Sequence, residues 1–217
     1  MFEKSKISIV IADDHPMVLK GLYNEFNENN YNVVGKAKDG MQALEEIVTH
    51  KPVIALLDID MPLLTGFEVI KIAKEKGIDT KFIILSFHKE SEYISKAQVL
   101  QINGYLLKED SFSEIERCIN AVLKDETYFS SSFSPSSISN ASEELIKLKR
   151  LTPSEKTILK LIAKQLSSNQ IAEQLYVSVR TVEKHRSNII LKLNLESHTA
   201  NALSIWANSN RTIINEL

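Results

Sequence analysis

Two adjacent carboxylates follow an uninterrupted apolar run near the start of this 217-residue chain. The run ISIVIA is typical of a buried strand, and Asp13 and Asp14 come directly after it. A third acid, Asp58, ends the apolar run VIALLD. Because functional groups of a parallel sheet gather where its strands end, these three carboxylates should converge. Like charges this close need a cation to offset them, and Mg²⁺ favours carboxylate oxygens as ligands.

Two further polar residues end strand-like runs later in the sequence. Ser86 ends KFIILS and Lys108 ends GYLLK, so a hydroxyl and an ammonium should reach the same edge. Each can contact phosphoryl oxygens, the lysine as a point charge. An isolated aspartate pair after a strand is more often a turn or a helix cap. The five positions together favour a metal site that permits phosphoryl chemistry at Asp58.

Alternating strand and helix patterns would position these residues. From Ile7 to about Lys124, short β-branched runs alternate with amphipathic stretches such as PMVLKGLYNEFNEN, GMQALEEIVTH and GFEVIKIAKEK. The remaining strand candidate is YNVVGKA, which is the second in chain order. Five strand–helix units predict an α/β fold with a parallel five-stranded sheet covered on both faces.

The rest of the chain has a different pattern. The serine-rich stretch YFSSSFSPSSISNASEE, residues 128–144, has little periodicity and predicts a flexible joint with a short helix at one end. Four helical patterns follow it: LTPSEKTILKLIAKQL, SSNQIAEQL, SVRTVEKHRSNIILKL and SHTANALSIWANS. The first two begin with capping boxes, formed by Thr152 with Glu155 and by Ser167 with Gln170. This spacing is typical of a helix-turn-helix unit.

Charge divides the chain in the same way. The net charge is −2, but residues 1–146 carry −8 and residues 147–217 carry +6. A basic C-terminal part indicates a nucleic-acid partner. In the third helical pattern, Val182, Ile189 and Leu193 should face the core. The opposite face is then free to enter a major groove and carries Arg180, Glu183, Lys184, Ser187 and Asn188.

The remaining composition excludes several classes of protein. Cys118 lies on the apolar face of a helical pattern, which predicts a buried thiol, and a single cysteine excludes an intrachain disulfide. Trp206 fits a core position and a dimer surface equally well. No apolar run approaches the roughly 20 residues of a membrane span, so we expect a cytoplasmic protein. The histidines lack the spacing of zinc ligands and are His15, His50, His88, His185 and His198.

Residues 7 to about 125 resemble the receiver domain of bacterial two-component response regulators, with ADD, LLDIDMP, LS and GYLLK in matching order and spacing. The resemblance implies a flavodoxin-like (βα)₅ fold in which Asp58 accepts a phosphoryl group from a sensor histidine kinase. It implies that Mg²⁺, or Mn²⁺, is bound by Asp13, Asp14, Asp58 and the backbone carbonyl of Asp60. It further implies roles for Ser86 as the switch hydroxyl, Lys108 as the phosphate-binding lysine and Tyr105 as the aromatic that changes rotamer.

Departures from the receiver pattern lie close to the same site. Glu109 follows Lys108 where many receivers have proline, and Phe87 replaces a residue that is often small and is expected to crowd the site. Asp60 and His88 occupy variable positions that influence the lifetime of the phosphoryl group in the family. We expect the charge of Asp60 to disfavour water at the acyl phosphate and to lengthen its life.

The stretch from Leu151 to Ala207 resembles the DNA-binding domain of LuxR and NarL type regulators, with LTPSE, LSSNQIAEQL, VSVRTVEKHRSNI and KL in register. The resemblance implies a four-helix domain whose third helix reads DNA and whose fourth pairs subunits. By position, Glu183, Lys184 and Ser187 would read bases, whereas Arg180, Thr181 and His185 would lie nearer phosphates. Gln165 and Tyr176 stand at turns where glycine is common in the family, and one expectation is that Tyr176 packs against the helices.

These patterns predict a receiver domain at 1–127, a linker at 128–147 and a smaller, all-α helix-turn-helix domain at 148–217. The predicted function is phosphorylation-controlled binding to double-stranded DNA, by a homodimer when phosphorylated and without a membrane partner. The chain would be a regulator whose only chemistry is its own phosphorylation and dephosphorylation. One alternative is a phosphatase of the haloacid dehalogenase type, although Pro62 stands where those enzymes usually have Thr or Val. Another is a module that binds protein.

Overall fold

A computed structural model of the chain describes residues 3–195 and 200–215, and its helices alternate with strands before becoming consecutive. The strands are β1 (Ser8–Ala12), β2 (Asn32–Ala37), β3 (Ile54–Leu57), β4 (Lys81–Ser86), β5 (Gly104–Leu107) and β6 (Tyr128–Phe129). The helices are α1 (Pro16–Glu28), α2 (Gly40–His50), α3 (Gly66–Glu75), α4 (Ser91–Val99), α5 (Phe112–Val122), α6 (Pro135–Lys149), α7 (Pro153–Ala163), α8 (Ser168–Leu175), α9 (Val179–Leu193), α10 (Ala200–Ser209) and α11 (Arg211–Asn215).

The described residues form two compact units. The first contains residues up to 89 together with 100–134, and the second contains 90–99 together with the chain from 135 onward. Helix α4 therefore belongs to the second unit, where it packs against α6 and α11. The alternating pattern of the sequence did not predict this assignment, because periodicity identifies a helix without identifying its neighbours.

The first unit is built on a parallel sheet with the strand order β2-β1-β3-β4-β5-β6. Every residue of β3 and β5 is buried, as expected for strands covered on both faces. On one face, α1 and α5 pack against alternate strand residues such as Ile9, Ile11 and Leu56. Cys118 of α5 lies in this layer and is fully buried, as predicted.

The sheet contains one strand more than the five predicted. The additional strand, β6, runs parallel to β5, with Tyr128 beside Gly104 and Phe129 beside Tyr105. It lies at the start of the serine-rich stretch, which the sequence predicts to be a flexible joint. Two residues of strand are too few to show a periodicity of two, so the pattern could not identify them.

The second unit is helical. Most of the serine-rich stretch belongs to α6, so the segment is more regular than predicted. The predicted capping boxes are present at α7 and α8, and Ser178 caps α9 by accepting a hydrogen bond from Thr181 N–H. Among the described residues, α7 to α10 match the four predicted helices, and the short α11 is an additional one.

Side chains from successive helices form the core of the second unit. Val182, Ile189 and Leu193 of α9 are buried there, as predicted, and Trp206 packs against this core while partly exposed. Gln165 and Tyr176 have left-handed φ angles of 63° and 54°, the conformation that glycine adopts most easily. The expectation that Tyr176 packs against the helices is wrong, because its side chain is 96% exposed.

Within the part of the chain that the structure describes, no helix combines the length and the apolar content needed to cross a membrane.

Candidate functional site

The three predicted carboxylates meet at the carboxyl edge of the sheet. Strands β1 and β3 are neighbours, and the chain leaves them in opposite directions, so their ends flank the crevice where α/β sheets bind ligands. Backbone hydrogen bonds extend the ladder past the strand ends: Asp58 N–H donates to Ala12 O at 2.9 Å, and Asp13 N–H donates to Ala37 O at 3.1 Å. The sheet therefore fixes both acidic residues.

Gly66, the first residue of α3, permits a close approach behind Asp58. A Cβ atom at this position would lie 2.1 Å from the backbone oxygen of Asp58, which is shorter than any real contact. The Gly66 N–H donates to Ile59 O at 2.9 Å. The absence of a side chain at Gly66 thus allows the helix to hold the Asp58 loop in place.

Lys108 bridges two of the acids. Its Nζ lies 2.8 Å from Asp13 Oδ2 and 2.8 Å from Asp58 Oδ2, and all three side chains are at most 3% exposed. The sequence argument that a metal alone offsets the carboxylates is therefore incomplete, because the ammonium already neutralises part of their charge. The sequence placed Lys108 at this edge but gave no distance to the acids.

Burial and the two ion pairs shift the pKa values of these groups. Burial raises the pKa of Asp58 above its ordinary value, and the hydrogen bond and charge of Lys108 only partly oppose that effect. For Lys108, burial acts to lower the pKa of the ammonium. The hydrogen bonds and charges of Asp13 and Asp58 outweigh burial, and the pKa of Lys108 is raised. Lys108 is therefore a fixed cation beside Asp58.

The donor set suits a hard divalent cation. One ligand atom each from Asp13, Asp14, His15 and Asp58 lies within 4.8 Å of the others. Three carboxylates face one ammonium, so the cluster keeps an excess of negative charge, and oxygen donors predominate in it. These properties match Mg²⁺, which binds through carboxylates and keeps several waters.

His15 is a member of this cluster that the sequence reasoning missed. Its Nδ1 lies 2.8 Å from Asp14 Oδ1, and its backbone N–H donates to Asp13 Oδ1 at 2.9 Å. The sequence feature that could have identified His15 is its position directly after the two aspartates. The side chain of Asp60 faces solvent, because it is 67% exposed and its Oδ2 pairs with His88 Nε2 at 2.7 Å.

A short chain of hydrogen bonds connects Ser86 with Tyr105. Ser86 Oγ accepts from His88 N–H at 3.3 Å, and the Tyr105 hydroxyl donates to His88 O at 3.1 Å. Ser86 and the Tyr105 ring are buried, so both lie beneath the loop that contains His88. This loop joins the predicted switch hydroxyl to the predicted switch aromatic.

Phe87 does not fill the site. Its side chain is 65% exposed, and its ring centroid lies 5.3 Å from Lys108 Nζ. This is within the range of a cation–π contact, so the ring lies against the ammonium at the edge of the site. The expectation that Phe87 crowds the site is therefore wrong, because most of the residue is exposed to solvent.

Helix α9 of the second unit presents the predicted DNA-facing residues. Arg180, Glu183, Lys184 and Ser187 are exposed, whereas Thr181 and His185 are half-buried. Two hydroxyls are engaged within the helix: Thr181 Oγ1 lies 2.8 Å from Ser178 Oγ, and Ser187 Oγ donates to Glu183 O at 3.1 Å. The sequence reasoning overlooked Arg186, which is buried and donates to Ser204 Oγ at 3.3 Å. His198 lies outside the described residues.

Two known protein families match the chain, one over each part of it. The family described as response regulator receiver domain matches residues 9–120, a stretch that contains every site residue of the first unit. The family described as bacterial regulatory proteins, luxR family, matches residues 149–204. The chain is a DNA-binding response regulator of the LuxR family.

Full-length relatives agree with this assignment. The response regulator is 33% identical over 202 residues to the oxygen regulatory protein NreC of Staphylococcus epidermidis, covering 88% of this chain and 93% of the relative. It is 34% identical over 199 residues to the transcriptional regulatory protein MctR of Rhizobium johnstonii, covering 90% and 91%. The receiver match spans Asp58 and Asp60, which favours a regulator over the phosphatase alternative.

Solved structures show similarity to both units of the response regulator. RcsB of Salmonella enterica serovar Typhimurium, bound to a promoter in the presence of the phosphomimetic BeF₃⁻, has a TM-score of 0.60 at 27% identity and covers 94% of this chain and 99% of its own. A LuxR-family DNA-binding response regulator of Staphylococcus aureus has a TM-score of 0.52 at 31% identity, covering 54% and 98%.

Proposed function

We propose that Asp58 is the phosphoacceptor through which a sensor histidine kinase controls DNA binding by this regulator. The observation that carries the proposal is the position of Asp58, whose carboxylate is buried at the crevice between β1 and β3. Lys108 Nζ lies 2.8 Å from its Oδ2, and the Asp13–Asp14 pair lies beside it. A carboxylate held between a fixed cation and a candidate metal site suits an acceptor of a dianionic group.

The reaction is a transfer between two side chains. An oxygen of Asp58 forms a bond to phosphorus as the bond to the kinase histidine nitrogen breaks, and the electron pair of that bond stays on the nitrogen. Ile59 N–H donates to Asp58 Oδ1 at 2.7 Å, which orients the carboxylate. Lys108 lies close enough to Asp58 to pair with the oxygens of a phosphoryl group attached to it.

Asp13, Asp14, Asp58 and the backbone carbonyl of Asp60 would hold Mg²⁺ or Mn²⁺. When bound, the cation supplies positive charge that offsets the carboxylates and the incoming phosphoryl oxygens. The side chain of Asp60 faces solvent and is not required as a ligand. His15 is better understood as a partner that orients Asp14, since Mg²⁺ prefers oxygen donors.

Ser86, Lys108 and Tyr105 would transmit the change. A phosphoryl group on Asp58 draws Ser86 Oγ toward its oxygens, which alters the hydrogen bond that Ser86 accepts from His88 N–H. Because His88 O accepts from Tyr105, the same loop movement reaches the switch aromatic. The surface near Tyr105 then changes, and with it homodimerisation or the release of the DNA-binding unit.

The second unit would read double-stranded DNA through α9. Glu183, Lys184 and Ser187 are the proposed base readers, with Arg180, Thr181 and His185 nearer the phosphates. Among the described residues, the buried Nδ1 of His185 has no hydrogen-bond partner. A buried N–H without an acceptor is costly, so the tautomer with hydrogen on Nε2 is favoured, and Nε2–H is available to a phosphate.

The proposed organisation keeps a receiver at 1–127, a linker at 128–147 and a DNA-binding domain at 148–217. The only chemistry in this account is the formation and loss of the acyl phosphate, so the chain is a regulator and not an enzyme that turns over a separate substrate. A cytoplasmic location follows from its DNA partner.

Selection of DNA from a randomised pool tests the proposal. The full chain is incubated with Mg²⁺ and beryllofluoride, and wild type is compared with Asp58→Ala. We expect wild type to enrich specific duplexes more strongly with beryllofluoride than without it, and the variant to show no such difference. Identical enrichment in all states would contradict phosphoryl control while leaving DNA binding intact. Loss of binding on raising salt would separate DNA binding from the protein-binding alternative.

A further inference from the structure

Tyr176 combines two features that are unfavourable for a purely structural residue. It is the C-cap of α8 in the left-handed region, with φ at 54° and ψ at 41°, where a tyrosine is strained and glycine is not. Tyr176 is 96% exposed, the highest exposure among the large hydrophobic residues in the described part of the chain. The ring therefore gives no packing energy in return for the strain.

The neighbours of Tyr176 indicate what the ring contacts. It lies two residues before Ser178, the N-cap of α9, and Val177 and Val179 on either side of the cap are 40% and 42% exposed. Arg180 follows on the first turn of α9. The aromatic side chain thus stands at the N-terminal end of the helix that carries the proposed base readers.

We propose that Tyr176 contacts the sugar–phosphate backbone of DNA beside the groove that α9 enters, with its hydroxyl donating to a phosphate oxygen. This inference rests on the proposed DNA-reading role of α9. When the N-terminus of a helix lies in the major groove, the turn before that helix lies near the backbone at the groove edge. Tyrosine is one of the side chains that bind phosphates in protein–DNA complexes.

Charge favours DNA over an apolar protein partner at this position. Arg180 and Lys184 are exposed on the same end of α9, and residues 147–217 carry a net charge of +6. A polyanion is attracted to such a surface, whereas an apolar protein surface would have to desolvate both cations. The contact of an uncharged tyrosine adds affinity at every sequence without adding a counterion-release term.

Two substitutions separate the contact from the strain. Tyr176→Phe keeps the ring and the strained backbone but removes the hydroxyl, so the melting temperature should stay at the wild-type value. Tyr176→Gly relieves the strain and removes the ring, so the melting temperature should rise by a few degrees. Despite these different effects on stability, both variants should bind DNA about three- to ten-fold more weakly than wild type, the range for one lost hydrogen bond.

The matched control is Asn194→Gly. Asn194 caps the other end of α9 in the same left-handed conformation, with φ at 53°. It is about 22 Å from the N-terminal end of this 15-residue helix. This variant should keep wild-type affinity, which would show that glycine at a left-handed helix C-cap of this unit does not in itself weaken binding.

Binding is measured by fluorescence anisotropy on the full chain, with a labelled duplex that the wild type selects from a randomised pool. The slope of log affinity against log salt should be unchanged by Tyr176→Phe and Tyr176→Gly, whereas Arg180→Ala should reduce it by about one. Wild-type affinity in both Tyr176 variants overturns this inference while the effect of Arg180→Ala upholds the α9 interface. If Arg180→Ala also has no effect, the α9 interface and the Tyr176 contact are both wrong.

Discussion

The ring of Tyr105 lies 5.0 Å from the ring of Phe133, centroid to centroid, in an edge-to-face arrangement. Phe129 of β6 completes the cluster, at 6.5 Å from Tyr105 and 6.4 Å from Phe133. The backbone continues the contact, because Ser130 N–H donates to Tyr105 O at 2.9 Å. The proposed switch aromatic is thus packed against the first residues of the segment that leads to the helical unit.

A second anchor holds this segment to α5. The buried carboxylate of Glu114 accepts from the Tyr128 hydroxyl at 2.8 Å and from Ser131 N–H at 3.0 Å. Burial acts to raise the pKa of Glu114, but these hydrogen bonds outweigh it and hold the pKa below its ordinary value. Residues 128–133 are therefore docked by both polar and aromatic contacts.

We expect beryllofluoride with Mg²⁺ to slow amide exchange at residues 128–133. If the phosphomimetic raises the fraction of molecules in which Tyr105 is turned inward on His88 O, the ring leaves room for Phe133 more of the time, and the docked strand opens less often. An outward Tyr105 would need the volume that Phe133 occupies. Hydrogen exchange followed by mass spectrometry measures the effect on the Tyr128 and Ser130 amides.

Substitutions at Phe133 provide the control for that experiment. Phe133→Ala should raise exchange at residues 128–133 in both states and reduce the difference between them, whereas Phe133→Leu should keep more of it because it remains apolar and large. Faster exchange of the wild type on adding beryllofluoride would show that the segment undocks on activation, contrary to this coupling.

The lifetime of the acyl phosphate should depend on Asp60. Its exposed carboxylate is two residues from Asp58, and removing its charge in Asp60→Asn should shorten the lifetime about three- to ten-fold, the effect of one nearby surface charge. Dephosphorylation is followed after rapid removal of the phosphodonor. Asp79→Asn is the charge-matched control, because Asp79 precedes β4 at the opposite edge of the sheet and should leave the lifetime unchanged. A longer lifetime in Asp60→Asn would refute the expected role of the charge.

Replacing Asp14 should separate metal binding from stability. Asp14→Asn removes one of three clustered carboxylates, so the metal-free protein should melt at a higher temperature than wild type. The rise in melting temperature that Mg²⁺ causes in wild type should be lost, because that rise requires binding to the folded state. Asp60→Asn should keep the Mg²⁺ response, since only its backbone carbonyl is proposed as a ligand. A Mg²⁺ response in Asp14→Asn equal to that of wild type would remove Asp14 from the metal site.

The capping residue Glu155 should make the helical unit sensitive to acid. Its Oε2 accepts from Lys192 Nζ and from Thr152 N–H, both at 2.7 Å. Burial acts to raise the pKa of Glu155, but these hydrogen bonds outweigh it and the pKa lies below its ordinary value of 4.5. The folded state therefore binds this proton less readily than the unfolded state. The resulting stability is fully present above about pH 4.5 and is lost as the pH falls through the lowered pKa.

Urea unfolding of Glu155→Gln measures this contribution. Above pH 5 we expect a loss of about 1–3 kcal/mol in the free energy of unfolding, the range for a cap and a charged hydrogen bond. Trp206 reports the transition, since it is the one tryptophan of the chain and packs against the core of this unit. As the pH falls from about 4.5 through the lowered pKa of Glu155, the variant and the wild type should converge. A constant difference across this pH range would mean that Glu155 is not the acid-sensitive group.

Much of this architecture could be predicted from the sequence. The apolar runs that lead to Asp58, Ser86 and Lys108 predict β3, β4 and β5, and the caps at Thr152 and Ser167 have a fixed local spacing, so short-range patterns identify them. The contacts that the sequence could not predict are those that join distant segments. The bridge from Lys108 to both acids and the docking of Phe133 on Tyr105 depend on tertiary packing, which has no local signal.

The central claim is that Asp58 carries the phosphoryl group, and intact-mass analysis tests it most directly. The full chain is incubated with acetyl phosphate and Mg²⁺ and compared with Asp58→Asn and with Asp60→Asn, which removes an exposed carboxylate two residues away. The account predicts one added phosphoryl group on wild type and on Asp60→Asn, lost when Mg²⁺ is chelated beforehand, and none on Asp58→Asn. A wild type without the label, or an Asp58→Asn variant labelled to the wild-type extent, would contradict it.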